Sequence, residues 1–116
     1  MFEDMFGMFG MMNSYKERKV LRYDDGVTLS VDTCSVSDGA HPYETAVAHV
    51  GYNRGSWVVV EAYDTHEESI VGHNKWVKIM TAETLPDKLV DCCNCTIGQI
   101  IEEFEGKPEY PLMPLN

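Results

Sequence analysis

A chain of 116 residues, 44% of them hydrophobic, has enough apolar material for one folded core and too little for a second, which excludes wholesale disorder. Nine Lys and Arg stand against nineteen Asp and Glu, a formal net charge of −10, so a role that rests on neutralising nucleic-acid phosphates is not expected. The basic residues that do gather, Lys16, Arg18, Lys19 and Arg22, are diluted by Glu17, Asp24 and Asp25. The acidity suits solubility, or docking to a basic partner surface.

Residues 1–12 read Met-Phe-Glu-Asp-Met-Phe-Gly-Met-Phe-Gly-Met-Met. Phe2, Met5, Phe6 and Phe9 recur at helical spacing, while Gly7 and Gly10 each weaken a helix by about 1 kcal/mol. Glu3 and Asp4 stand where a secretory signal carries positive charge, and the stretch is shorter than the roughly 20 apolar residues of a membrane span. Neither a leader nor a membrane anchor is therefore expected. Methionine is flexible and polarizable, and a helix this short is marginal in water. Phe2, Met5, Phe6, Met8, Phe9 and Met11 are accordingly read as a partner-binding arm.

Two strands are expected over residues 19–23 and 27–36, joined at Asp24-Asp25-Gly26, since an Asp-Gly turn supplies the positive φ that a hairpin needs. Val27, Leu29 and Val31 alternate with Thr28, Ser30 and Asp32 in a half-buried pattern. Residues 37–42 are loop chemistry, and residues 43–50 are read as a third strand. After the turn of residues 51–56, Trp57-Val58-Val59-Val60 and the following Glu61-Ala62-Tyr63 read as a central strand covered on both faces, with Trp57 and Tyr63 in the core.

Thr65 with Glu68 three residues later is a capping-box pattern, and it opens a helix that runs to Met80. Its apolar stripe is read as Ile70, His73, Val77 and Met80, joined by Trp76 and Ile79. Residues 84–87 stop it, and residues 88–91 are expected to add a turn. A short second helix over residues 96–104 carries Ile97, Ile100, Ile101 and Phe104 on one side. An extended Pro-rich tail follows, in which Tyr110, Leu112 and Met113 are further partner-binding candidates.

Together these elements predict an α+β fold. A small antiparallel sheet of three to four strands packs against one main amphipathic helix, with a short C-terminal helix besides. The organisation is an apolar N-terminal arm (1–15), a single α+β domain (16–106) and a Pro-rich C-terminal tail (107–116).

No catalytic, cofactor-binding or metal-binding residue is assigned. Cys92, Cys93 and Cys95 are adjacent or one apart, a spacing that suits tetrahedral zinc poorly, and with Cys34 they are read as free thiols of a reducing compartment. His73 lies on the apolar stripe and is read as a core histidine with a buried hydrogen bond rather than a general base. Residues 51–55 lead into a strand and lack the Gly-Lys-Ser/Thr ending of a phosphate loop.

One set of residues carries a resemblance. Pro42-Tyr43-Glu44-Thr45-Ala46-Val47, Tyr52-Asn53, Trp57-Val58-Val59-Val60-Glu61, Tyr63-Asp64-Thr65, Glu67-Glu68, and Gly72-His73 with Trp76-Val77 are similar to small proteins encoded by tailed bacteriophages and prophages. The likeness covers roughly residues 31–91, and its most specific portion is Gly-His-x-x-Trp-Val after Trp-Val-x-Val-Glu-x-Tyr-Asp. The Cys92–Cys95 cluster and Ser69-Ile70-Val71 depart from it. The resemblance implies a phage gene product made in the host cytoplasm, and it transfers no catalytic residue. The expectation is a non-enzymatic virion component of capsid, connector or tail, acting as a homo-oligomer or within a larger assembly of virion proteins. It would use no cofactor and no contact with nucleic acid or membrane. The alternative is an acidic inhibitor of a host enzyme or defence system.

Overall fold

The computed structural model describes residues 16–22 and 28–114. Four strands, β1 (Lys16–Arg22), β2 (Thr28–Ser35), β3 (Tyr43–His49) and β4 (Val58–Tyr63), form an antiparallel meander in chain order. Register runs from Lys16 opposite Cys34 to Arg22 opposite Thr28, then from Leu29 opposite His49 to Ser35 opposite Tyr43. The Asp24-Asp25-Gly26 turn and the Met/Phe arm lie outside the described residues. Helix α1 (His66–Met80) lies across β2, β3 and β4. Strand β5 (Lys88–Val90), helix α2 (Thr96–Glu105) and strand β6 (Glu109–Pro111) complete the α+β fold.

Alternation builds the core. Leu29, Val31 and Thr33 of β2 and Thr45, Val47 and His49 of β3 are buried under α1, while Ser30, Asp32, Cys34, Glu44, Ala46 and Ala48 face the other way and are half-buried. Tyr52, Val58, Met80 and Leu89 close the apolar cluster, with Trp76, Val77, Leu85, Tyr110 and Leu112 packed round it. Tyr52 is fully buried, yet its hydroxyl donates to the Pro86 carbonyl at 2.6 Å, so no polar atom is stranded. The turn before β4 holds Asn53, Arg54 and Gly55 at positive φ; Gly55, at 84°, is the position that favours glycine most.

Several expectations change. Strand β4 ends the sheet rather than sitting in its middle, with its outer edge met by a hydrogen bond from Cys92 N–H to the Val59 carbonyl. A register shift between Thr45 and Ala46 sets Val59 and Glu61 opposite those neighbours and leaves Val60 as the extra residue. Trp57 is 46% exposed instead of buried: it immediately precedes fully buried Val58, so alternation turns it away from the helix-covered side. Tyr63 is in the core, as expected.

The segment expected as a turn after α1 is strand β5, paired antiparallel with β6 of the tail. Three residues are too few to show a period, and their partner lies some twenty residues away. The tail then runs back over the fold, with Leu112 N–H bonded to the Asp87 carbonyl and Met113 N–H to that of Gly51.

The start of α1 is as its sequence implies. Thr65 is extended, and its hydroxyl accepts from Glu68 N–H at 3.1 Å. Glu68 reaches back one residue further than a standard capping box and accepts from Asp64 N–H. Thr65→Ala should lower stability by about 1 kcal/mol in urea unfolding, with helix content retained at low denaturant. An unchanged midpoint would mean that the cap adds nothing. The buried face of α1 is Ser69, Gly72, His73 and Met80, with Trp76, Val77 and Ile79 packed against the core; of the expected stripe only Ile70 is exposed. The first half of the helix presents its small residues to the sheet because the Tyr63 phenol occupies the space between them.

Candidate functional site

Among the described residues, two polar constellations join separate elements of the fold. The first runs from β4 through the sheet into α1. Glu61 Oε1 accepts from Lys75 Nζ at 2.6 Å, Trp76 Nε1 at 2.9 Å and Tyr63 Oη at 3.1 Å. Tyr63 Oη lies 2.9 Å from Thr45 Oγ1, Thr45 Oγ1 lies 2.7 Å from Thr33 Oγ1, and Thr33 Oγ1 lies 2.7 Å from His73 Nδ1.

The protons of this chain have one consistent direction. A carboxylate only accepts, so the single Tyr63 proton goes to Glu61 and Tyr63 accepts from Thr45. Thr45 then accepts from Thr33, and Thr33 accepts from His73 Nδ1–H. His73 therefore carries a proton on Nδ1. Burial pushes the Tyr63 hydroxyl far above its ordinary value, the Thr45 bond opposes this, and the Glu61 charge adds to it. Burial alone would raise the Glu61 carboxyl as well, but the hydrogen bonds from Lys75 and Trp76 and the lysine charge hold it below its usual range.

Residues far apart in the chain thus meet in space. Glu61, Tyr63, Thr45, Gly72, His73 and Trp76 join helix to sheet. Their adjacency in pairs is visible in the sequence, but Thr33, which links two of them, is not marked by any local pattern. Beside them opens a cleft of about 460 Å³ between β4 and α1, lined by Glu61, Tyr63, Glu67, Glu68, Val71 and Lys75. Glu68 is engaged in capping and Glu61 in the hub just described, so these carboxylates serve the scaffold.

The second constellation clasps the β2–β3 loop. The Asn94 side chain accepts from His41 N–H at 2.9 Å and donates to the His41 carbonyl and to Glu44 Oε1. Gly39 pairs with Cys95, and a Cβ there would collide with the Asn94 amide, so this close approach needs glycine. His41 Nδ1 stands 2.6 Å from Asp64 Oδ1 at the exposed edge. Burial raises the Glu44 carboxyl, and the Asn94 bond offsets this in part.

Cys92, half-buried beside these groups, is pushed up to about 11, chiefly by burial and then by Asp91 and Glu44. A thiol in that range is roughly one part in ten thousand thiolate at neutral pH, which makes it a poor nucleophile. No disulfide joins the four cysteines, and among the described residues no three His, Cys, Asp or Glu side chains are grouped to hold a metal ion.

The remaining feature is apolar. Helix α2 presents Ile97, Ile100 and Phe104 at 70%, 54% and 81% exposure, three large residues at positions i, i+3 and i+7. Single exposed apolar residues are ordinary; three at helical spacing form one exposed apolar stripe. The sequence marks this stripe clearly, yet periodicity cannot say what covers it. Of the expected tail contacts, Tyr110 and Leu112 are packed against the fold's own core, and Met113 is exposed. The arm residues Phe2, Met5, Phe6, Met8, Phe9 and Met11 lie outside the described residues. Among the described residues no helix is long and apolar enough to cross a membrane. Comparisons with protein-family models, with curated proteins and with solved structures find no match to this chain.

Proposed function

We propose that this protein is a non-enzymatic component of a bacteriophage virion, an accessory to capsid, connector or tail that acts through protein–protein contacts. The observation that carries the reading is the exposed stripe Ile97, Ile100 and Phe104 on α2. A surface helix that turns its apolar face to water is stable in an assembly that covers it. The Met/Phe composition of residues 1–12 supports the same reading, because flexible apolar side chains suit an adaptable interface. The phage setting is supported by the resemblance over residues 31–91. The polar constellations add support of another kind, since their groups are spent on joining helix, loop and sheet.

Mass spectrometry of purified particles tests the proposal. A virion component appears in stoichiometric amount, and its absence from particles that contain the major capsid protein overturns the reading. The net charge of −10 favours a second reading, an acidic inhibitor docking on a basic host surface. Salt separates the two: apolar docking holds as ionic strength rises, whereas charge-driven docking weakens steeply.

A further inference from the structure

We infer that the cleft between β4 and α1 is a docking site for an arginine side chain presented by a partner protein. The cleft is built from other elements than the α2 stripe, so it stands whether or not the protein is a virion component.

Helical spacing sets one wall of the cleft. Glu67, Glu68, Val71, Gly72 and Lys75 lie on one side of α1, the side that faces β4. The chemistry along that wall is graded. Glu67 and Glu68 belong to the first turn, Val71 stands one turn on, about 6 Å along the axis, and Lys75 one turn further. Across from them, Ala62 and Tyr63 of β4 complete an apolar middle. At about 460 Å³ the cleft falls among the smaller ligand sites, room for one long side chain rather than a folded element.

Most of the charges here are already engaged. Lys75 Nζ lies 2.6 Å from Glu61 Oε1, and Glu68 Oε1 accepts from Asp64 N–H. Glu67 is different: it is exposed, and among the described residues its carboxylate makes no hydrogen bond or ion pair. Three carboxylates against one ammonium leave the lining with a net charge of −2. The start of a helix carries about half a positive charge, which reduces this without reversing it. The net charge of −10 on the whole chain adds to the attraction for a cation.

Arginine matches both halves of the cleft. Its methylene stem can cover Val71 and Ala62 while the guanidinium turns to the Glu67 end, where a planar fork binds two carboxylate oxygens at once. Lysine offers a more strongly hydrated point charge without that fork. A purely apolar occupant would take the Glu67 carboxylate out of water with no partner. A second copy of the chain is opposed by the charge of −10 that each carries.

Titrating the full chain with the capped tripeptide Gly-Arg-Gly at fixed ionic strength, and following backbone amide shifts, tests this. Amides of Ala62, Glu67, Val71 and Gly72 should move saturably, with a dissociation constant of about 1–10 mM. The peptide with citrulline in place of arginine, equal in shape but uncharged, should bind at least ~10-fold more weakly. Glu67→Gln and Val71→Ser, both at exposed positions, should each weaken the arginine peptide by about 5-fold, and Glu67→Gln should also shrink the preference over citrulline. Amides of β2 and β3 report in every variant that the domain is folded. Equal binding of the two peptides overturns the proposal, because the cleft would then take any apolar stem. Equal shifts at the exposed Glu103 and Glu105 of α2 also overturn it, as general charge attraction. So do cleft shifts on diluting the protein alone, which would assign the site to a second copy, and the absence of saturation below ~50 mM peptide.

Discussion

Replacing Gly72 with alanine should lower the stability of this protein by about 3 kcal/mol, a fall of roughly 15 °C in unfolding midpoint, although alanine is the better helix former. A Cβ at position 72 would fall within the Tyr63 phenol, meeting Oη, Cζ and Cε1 together. The phenol cannot step aside cheaply, because its hydroxyl is bonded to Thr45 and Glu61 on the far side of the contact. The helix would have to lift from the sheet, and the His73–Thr33 bond one residue along would lengthen with it. Tyr63→Ala is itself destabilising, but in that background Gly72→Ala should cost nothing or stabilise by up to about 1 kcal/mol, its intrinsic helix gain. The sign reversal in a double-mutant cycle is the diagnostic. If Gly72→Ala is neutral with Tyr63 in place, the close approach of helix to strand is not what holds this face together.

That pair also shows where sequence reasoning succeeds and stops. Strand alternation in residues 27–36, the Thr65 cap and the end of the helix at Met80 are local patterns, and the sheet-and-helix architecture is legible from them. An apolar run reads Trp57 inward and helical spacing reads Ile70 inward, yet both are exposed. What decides their side is the parity set by Val58 and the bulk of Tyr63, properties of tertiary neighbours. The His73–Thr33–Thr45–Tyr63 chain joins residues 12 to 40 positions apart, so no window of local sequence contains it. Strand β5 is too short to show a period and is defined by its partner β6. For α2 the stripe is legible, but an amphipathic pattern states only that a face is apolar and names no surface to meet it.

Two glutamates of the same sheet should respond to pH with opposite signs. Glu61 is held below its ordinary range, so its ionised form favours the folded state; that contribution is complete above the unfolded carboxyl value near 4.5 and is lost as pH falls through the lower folded value. At about pH 7, Glu61→Ala should cost about 2 kcal/mol, because it leaves Trp76 Nε1–H and the Tyr63 hydroxyl without their acceptor, while the partly exposed Lys75 contact adds little. Glu61→Gln keeps an acceptor and should cost about half as much, with the difference from the parent shrinking in acid. Glu44 is shifted upward, so its charge opposes folding above the folded value, and the penalty is relieved as pH falls through it. Glu44→Gln, which can still accept from Asn94, should be neutral or slightly stabilising near neutrality and lose that advantage in acid. Urea unfolding of the parent and both Gln variants from about pH 3 to about pH 8 reads the two slopes directly. Parallel slopes for the two variants would refute the assignment. Opposed slopes would show one carboxylate anchoring the helix through its charge and the other held beside the loop clasp against the cost of its burial.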